Sequence, residues 1–315
     1  MDLQAELRQQ AKKLLEEKIV DLVIGYEDEG MPLQTTPCFI TDPGDVERLV
    51  WNQFCEHNLA TYLIRQTGKT AVVAKGCDVR SIVVLINEKQ LDRENIKIIG
   101  MPCMGIVDRK KIQTHVGNAD VKQANIENGI IHVKGDGFEE KLNVDDFLHD
   151  SCLVCRHRNP VLCDISIGKE LPEIEPENEY SEIEELEEKS PQQRWEYFKK
   201  ELSKCVRCYA CRQVCPLCYC KSCFVDQNFP NWFGKSTDIS DTICFHLLRA
   251  LHMTGRCVDC GACARACPNH INLRMLTKKI EKDIKALFDV EVGLNLKEKT
   301  PLASYNEDDP QDFIK

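Results

Sequence analysis

The 315 residues carry a formal charge of −10, are 43% hydrophobic and include 19 cysteines. The length suggests two domains, and no run approaches the roughly eighteen apolar residues of a membrane span. So many thiols in a chain whose first residues hold no apolar signal region imply a reducing, cytoplasmic setting, which argues for bound metal over disulfides.

The opening segment MDLQAELRQQAKKLLEEKIV sets Leu3, Leu7, Ala11, Leu14 and Leu15 at helical spacing and predicts an amphipathic surface helix. Apolar runs then alternate with amphipathic ones. VDLVIGY and CFI predict strands, and DVERLVWNQFCEHNLATYLIR a helix. TAVVAKGC is a strand, DVRSIVVLINEKQL a helix and IKIIGMPC a further strand. This succession predicts βαβ units on a mostly parallel sheet, an α/β N-terminal domain. GIIHVKGDGFEEKLNV predicts a hairpin turning at Gly135, Asp136 and Gly137.

Cys77 and Cys103 each fall just past the carboxyl end of a predicted strand, the edge at which open α/β sheets bind ligands. Cys152 and Cys155 form a CxxC. Together the four make a candidate site for a 4Fe–4S cubane, with Cys55 or Cys163 as substitutes. The histidines offer no HxxxH or HExxH pair, and no GxGxxG loop, Ser–His–Asp set or paired carboxylates can be singled out.

Residues 169–190 hold ten Glu against two Lys, whereas 191–285 hold sixteen Lys or Arg against eight Asp or Glu. An acidic connector therefore leads into a basic module, either as a solvated linker or folded back on it. Ser190 and Pro191 predict the start of a helix over SPQQRWEYFKKELSK.

Two cysteine runs follow. Cys205, Cys208, Cys211 and Cys215 precede Pro216; Cys257, Cys260, Cys263 and Cys267 precede Pro268. Each reads C-x₂-C-x₂-C-x₃-C-P, the spacing of bacterial two-cluster ferredoxins, in which the fourth cysteine ligates the other cluster. Cys205, Cys208, Cys211 and Cys267 would hold one cubane, and Cys257, Cys260, Cys263 and Cys215 the second. Zinc needs only pairs and leaves a third cysteine of each run unexplained. Cys218, Cys220 and Cys223 supply part of a further cluster or line the first. Arg207, Arg212, Arg256 and Arg265, beside the motifs, would favour reduced clusters or form a solvated face. The insert between the runs includes an apolar helix over TDISDTICFHLLRALHMTG, with Cys244 as a small buried hydrophobe. INLRMLTKKIEKDIKALF sets Leu273, Leu276, Ile280, Ile284 and Leu287 in one stripe.

IIGMPCMGIVDRKK, CLVCRHRNPVLCDISIG and KGC at Lys75–Cys77 resemble the cysteine segments of the coenzyme F-420 hydrogenase/dehydrogenase beta-subunit family, over roughly residues 20–168. The resemblance implies a cubane, a flavin (FAD), and electron exchange with a partner hydrogenase or formate dehydrogenase. The expected organisation is a beta-subunit-like domain over 1–168, an acidic linker over 169–190, a small α+β ferredoxin-like domain with flanking helices over 191–288, and a tail over 289–315. The expected function is electron relay within an anaerobic oxidoreductase complex. Its partners would be a heterodisulfide-reductase-like flavoprotein, a formate dehydrogenase or hydrogenase subunit, or soluble ferredoxin; nucleic acid and membrane insertion are not expected. The rivals are a flavin-containing catalytic subunit, oxidising a reduced deazaflavin or nicotinamide, and a zinc-stabilised interaction module.

Overall fold

The structure is a computed structural model, described here for residues 2–28, 30–117, 119–231 and 234–301. It divides into two units: residues 1–80 with 90–177, and residues 81–89 with 178–315. No described helix is long and apolar enough to cross a membrane. Residues 302–315 of the expected tail lie outside the described residues.

The first unit opens with α1 (Leu3–Glu16), capped by the Asp2 carboxylate, which accepts from the Gln4 amide. Leu7, Ala11, Leu14 and Leu15 are its buried stripe, as the spacing requires. Strands β1 (Leu22–Glu27) and β2 (Thr36–Ile40) pair antiparallel. After α2 (Ala60–Leu63), strand β3 (Thr70–Ala74) leads through α3 (Gly76–Asn87) to β4 (Ile96–Gly100). β3 lies parallel to both β1 and β4, and its residues are buried throughout, as a strand covered on both faces must be.

The helix expected over residues 45–65 does not form as one piece. Asn52 and Asn58 accept hydrogen bonds from the amides of Phe54 and Ala60 at 2.8 and 3.1 Å. Such local turns compete with helix. Ahead of them the chain runs beside β1, where the Val50 amide donates to the Tyr26 carbonyl at 2.9 Å.

Helix α4 (Arg109–His115) precedes a separate antiparallel sheet of β5 (Val121–Glu127), β6 (Ile130–Gly135) and β7 (Phe138–Asn143). Its second hairpin turns at Asp136–Gly137, as expected; its first turns at Asn128–Gly129, with φ of 50° and 78°. Helix α5 (Asp150–Leu153) follows, and β8 (Ile165–Ser166) completes the first sheet in the order β2-β1-β3-β4-β8.

In the second unit the acidic segment forms α6 (Ser181–Glu187), beginning within the stretch expected as a linker. Ile183 and Leu186 pack on Met275, and Glu187 pairs with Lys279 and Lys282 at 2.7 and 2.6 Å. The unlike charges of connector and module thus meet directly. Helix α7 (Pro191–Leu202) starts in a capping box between Ser190 and Gln193. Helices α8 (Ala210–Gln213), α9 (Ile239–His252), α10 (Ala262–Arg265) and α11 (Arg274–Phe288) follow.

Three expectations are corrected here. Among the described residues the second unit holds none of the strands of an α+β fold, while the flanking helices stand as expected: α7 leads into Cys205 and α11 follows Cys267. Cys244 is exposed, because α9 turns Thr242, Ile243, Phe245 and His246 inward and leaves it on the opposite face. On α11 the buried residues are Arg274, Met275, Thr277, Lys278 and Ile284, while Leu287 is exposed. Of the expected stripe Leu273 and Ile284 are buried and Leu276 and Ile280 half-buried, and α6 with a buried ion-pair network shares the helix with it.

Candidate metal centre

Among the described residues, no three His, Cys, Asp or Glu side chains converge as ligands of a single ion. A cubane is larger: each thiolate stands on its own iron corner. Its fit is tested by backbone geometry around the cysteines and by which thiols lie within electrostatic reach of one another.

The two runs repeat the same backbone. Arg207 and Asp259, each just before the second cysteine, have φ of 55° and 49°; Tyr209 and Gly261, each just after it, have φ of 60° and 72°. Left-handed residues turn successive amides to one side, building a concavity lined with N–H groups that suits an anionic cluster. The Arg207 amide donates to Cys205 Sγ at 3.3 Å. Equivalent short helices, α8 and α10, carry the third cysteine of each run. Left-handed conformations at three non-glycine positions cost about 1–3 kcal/mol each and persist only where the surroundings require them.

The thiols mix between runs. Burial pushes Cys205 up, and the charges of Cys267 and Cys208 add to this. Cys211 is pushed up to about 12 by burial, eased by Arg249 and reinforced by Cys263, Cys205 and Cys267. Burial likewise raises Cys260 to about 11, with Arg265 opposing and Cys215 and Cys263 reinforcing. So Cys267, from the second run, stands with the first run's thiols, and Cys215, from the first, stands with Cys260. Crowded buried thiols of this kind suit a cationic iron core, because a coordinating thiol is deprotonated outright.

The remaining cysteines of this region have three different surroundings. Cys218 hydrogen-bonds Cys215, which holds Cys218 low and Cys215 high. Cys223 is engaged by Arg212, and Cys220 is exposed.

The flanking charges are mostly paired. Arg274 grips Asp259 through two bonds of 2.8 and 2.7 Å, and Lys278 reaches the same carboxylate at 3.3 Å. Arg212 pairs with Asp226 at 2.8 Å. Arg256 pairs with Glu88, and Arg265 donates to the Cys260 carbonyl at 2.6 Å. Arg207 is buried against the rings of Tyr209 and Phe245. Two groups escape sequence reasoning, both on α9: His246, whose Nε2 lies 3.3 Å from Cys205 Sγ, and Arg249. Were Cys205 bound to a cluster, its thiolate could only accept, and His246 Nε2 would then carry the proton. Burial, with Arg249 and Arg207, pushes its imidazole down to about 4.

In the first unit, Cys77 opens α3 one residue past Gly76, where a β-carbon would stand 2.1 Å from the His157 carbonyl oxygen. Only glycine lets the loop after Cys155 pass there. The Cys103 amide donates to the Arg158 carbonyl at 2.9 Å. The Ile106 amide donates to Cys152 Sγ at 3.4 Å. Burial drives the Cys103 thiol to about 12, with the charge of Cys152 reinforcing, Lys75 opposing and Cys155 adding to the rise. Cys77, Cys103 and the substitute Cys55 all act on Lys75 and Tyr26, while Cys152 and Cys155 act on Cys103.

The two substitutes differ. Cys55 is fully buried, caps its own turn at the Asn52 amide at 3.5 Å, and is pushed up to about 11 by burial. Cys163 packs on Gly100, beside Asp164, which Arg93 holds at 2.9 Å. Beneath Cys77 the Lys75 ammonium is 1% exposed and donates to Tyr26, to the carbonyls of Cys55 and His57 at 3.0 and 2.8 Å, and pairs with Asp78 at 3.0 Å.

Residues 67–189 match the family model for the C terminus of the coenzyme F420 hydrogenase/dehydrogenase beta subunit, and residues 251–271 match the 4Fe-4S binding domain. The first match runs through the acidic segment to 189, past residue 168. Among curated proteins, the chain is 25% identical over 336 aligned positions to the F420-dependent formate dehydrogenase subunit beta of Methanocaldococcus jannaschii, covering 87% of each. It is 26% identical over 306 positions to the F420-dependent formate dehydrogenase 1 subunit beta of Methanococcus maripaludis, covering 77% of this chain and 78% of that one. A chain of the F420-reducing NiFe hydrogenase complex from Methanosarcina barkeri aligns over 50% of this chain and 59% of its own at 17% identity, with a TM-score of 0.37, and carries no structural weight here.

Proposed function

We propose that this chain, which carries a coenzyme F420 hydrogenase/dehydrogenase beta-subunit domain ahead of a 4Fe–4S domain, is an iron–sulfur electron-relay subunit of an anaerobic oxidoreductase complex. Cys205, Cys208, Cys211 and Cys267 would hold one cubane, and Cys257, Cys260, Cys263 and Cys215 a second. Cys77, Cys103, Cys152 and Cys155 would hold a third in the first unit. The observation that supports the reading is the repeated left-handed backbone of the two runs, with Cys267 among the thiols whose charge acts on Cys205 and Cys215 among those that act on Cys260.

When bound, each cubane supplies a one-electron acceptor and donor. The protein's part is to hold and surround it. Backbone amides and the His246 ring face the sulfurs, buried aromatic and aliphatic side chains exclude water, and fixed cations oppose the charge gained on reduction. Nothing in that set binds or activates an organic substrate. The partner is therefore a catalytic subunit of the kind named for the two curated relatives, a formate dehydrogenase, or a hydrogenase or heterodisulfide-reductase-type flavoprotein.

The test is to purify the full chain without oxygen, reduce it with dithionite, remove the reductant and add a one-electron viologen acceptor. The visible absorbance of the chain should bleach on reduction and return as the viologen is reduced. A chain that neither bleaches nor passes electrons is not a relay.

A further inference from the structure

Helix α9 belongs to the long insert between the two cysteine runs, and its inner face meets both. Arg249 is 6% exposed. Its Nη2 donates to the carbonyl of Cys211, in the first run, at 3.1 Å, and its Nε is buried without a hydrogen-bond partner. Whereas Arg212, Arg256 and Arg274 each pair with a carboxylate, none pairs with Arg249 among the described residues. The charges that reach it are those of Cys263, Cys215, Cys211 and Cys218. Cys211 belongs to one proposed cubane, and Cys215 and Cys263 to the other.

A guanidinium this deep is costly unless something negative compensates it. It cannot lose its proton. In the absence of a carboxylate, the compensating charge comes from the surrounding sulfurs, from Cys218, which is held low beside it, and from the clusters that Cys211, Cys215 and Cys263 would hold. The interaction is reciprocal: each cubane that takes up one electron becomes more negative, with no bond or proton moving, and a buried cation favours that state. Coulomb energy falls only as the inverse of distance where water is excluded, so one charge between two sites acts on both.

We propose that Arg249 is a positioning residue shared by the two cubanes, a fixed charge that raises the reduction potential of each. The insert would then have a redox purpose: it brings one cation to two clusters at once. This rests on the two-cubane reading above, and the test separates the two.

The full chain, prepared without oxygen, is titrated against mediators with electron paramagnetic detection, beside Arg249→Met, Arg249→Gln and Arg249→Lys, with iron and acid-labile sulfide measured on each. Both midpoints should move to more negative potential in the two neutral variants, and Arg249→Lys should restore most of the shift at unchanged iron. Unmoved midpoints, or movement of one cluster only, at full iron content would overturn the inference. Loss of both clusters from the neutral variants but not from Arg249→Lys supports a requirement for charge. Loss from all three would show that the side chain acts by shape alone. Wild-type protein lacking two cubanes in this region would instead remove the reading on which the inference rests.

Discussion

Tyr209 and Gly261 stand at the same step of the two cysteine runs and share a left-handed backbone, at φ of 60° and 72°. A β-branched side chain in that region is a genuine outlier. Gly261→Val should therefore misplace the amide that follows Cys260. The measurement is iron per chain, and the expected loss is one cubane, about four atoms, with the other clusters kept. Full retention would mean that the left-handed step is incidental.

The crossing of ligands makes a sharper forecast. Cys208→Ser and Cys267→Ser, although in different runs, should extinguish or convert the same paramagnetic signal, and Cys215→Ser the other one. Should Cys267→Ser instead match Cys257→Ser, each run would close its own cluster and the proposed crossing would be wrong.

In the first unit, Cys152→Ser should remove about four iron atoms and leave the signals of the two paired clusters intact. Unchanged iron would dismiss the third site. Lys75→Met tests what lies below that site. Its partner Asp78 is wholly buried, and stripping one member from a buried pair costs about 3–5 kcal/mol. Denaturant unfolding should show that loss, and the double variant with Asp78→Leu should regain part of it.

Two forces hold α6 on α11, and their magnitudes differ. Ile183 is 2% exposed, so Ile183→Ala should cost about 2–5 kcal/mol. The ion pairs of Glu187 lie nearer the surface and are worth about 0–1 kcal/mol each. Glu187→Gln should thus shift the unfolding midpoint little, and less still at high salt. The reverse ranking would show that charge rather than packing docks the helix.

Acid should loosen the loop that carries Cys152. Burial works to raise Asp108, but its hydrogen bond with His149 and the charge of that ring bring it down to about 2. A carboxylate depressed in the fold contributes stability above its ordinary range and loses it as pH falls toward the folded value. Metal-free protein should lose stability between about pH 4 and pH 2, and Asp108→Asn should flatten that slope. An identical acid profile in the variant would count against the pair.

The cysteine runs were legible because their spacing is local: C-x₂-C-x₂-C-x₃-C fixes geometry within a dozen residues. Strands β1, β3 and β4 were legible for a similar reason, since buried parallel strands read as unbroken apolar runs. What escaped was set by tertiary contact or by small local competitors. Asn52 and Asn58 broke a helix through single side-chain bonds. Asn128–Gly129 is a hairpin turn signal of the type-I′ kind, and the structure turns there. Cys244 is exposed on apolar α9, whose sequence does not declare which face turns inward. The signal that pointed to the inner face was Arg249 itself, a lone cation in LLRALH, which a buried helix keeps only with something negative nearby.

Iron and acid-labile sulfide, counted per full-length chain purified without oxygen, bear most directly on the relay. Three cubanes predict about twelve of each, in brown protein that bleaches with dithionite. Colourless protein holding zinc and no sulfide would contradict it.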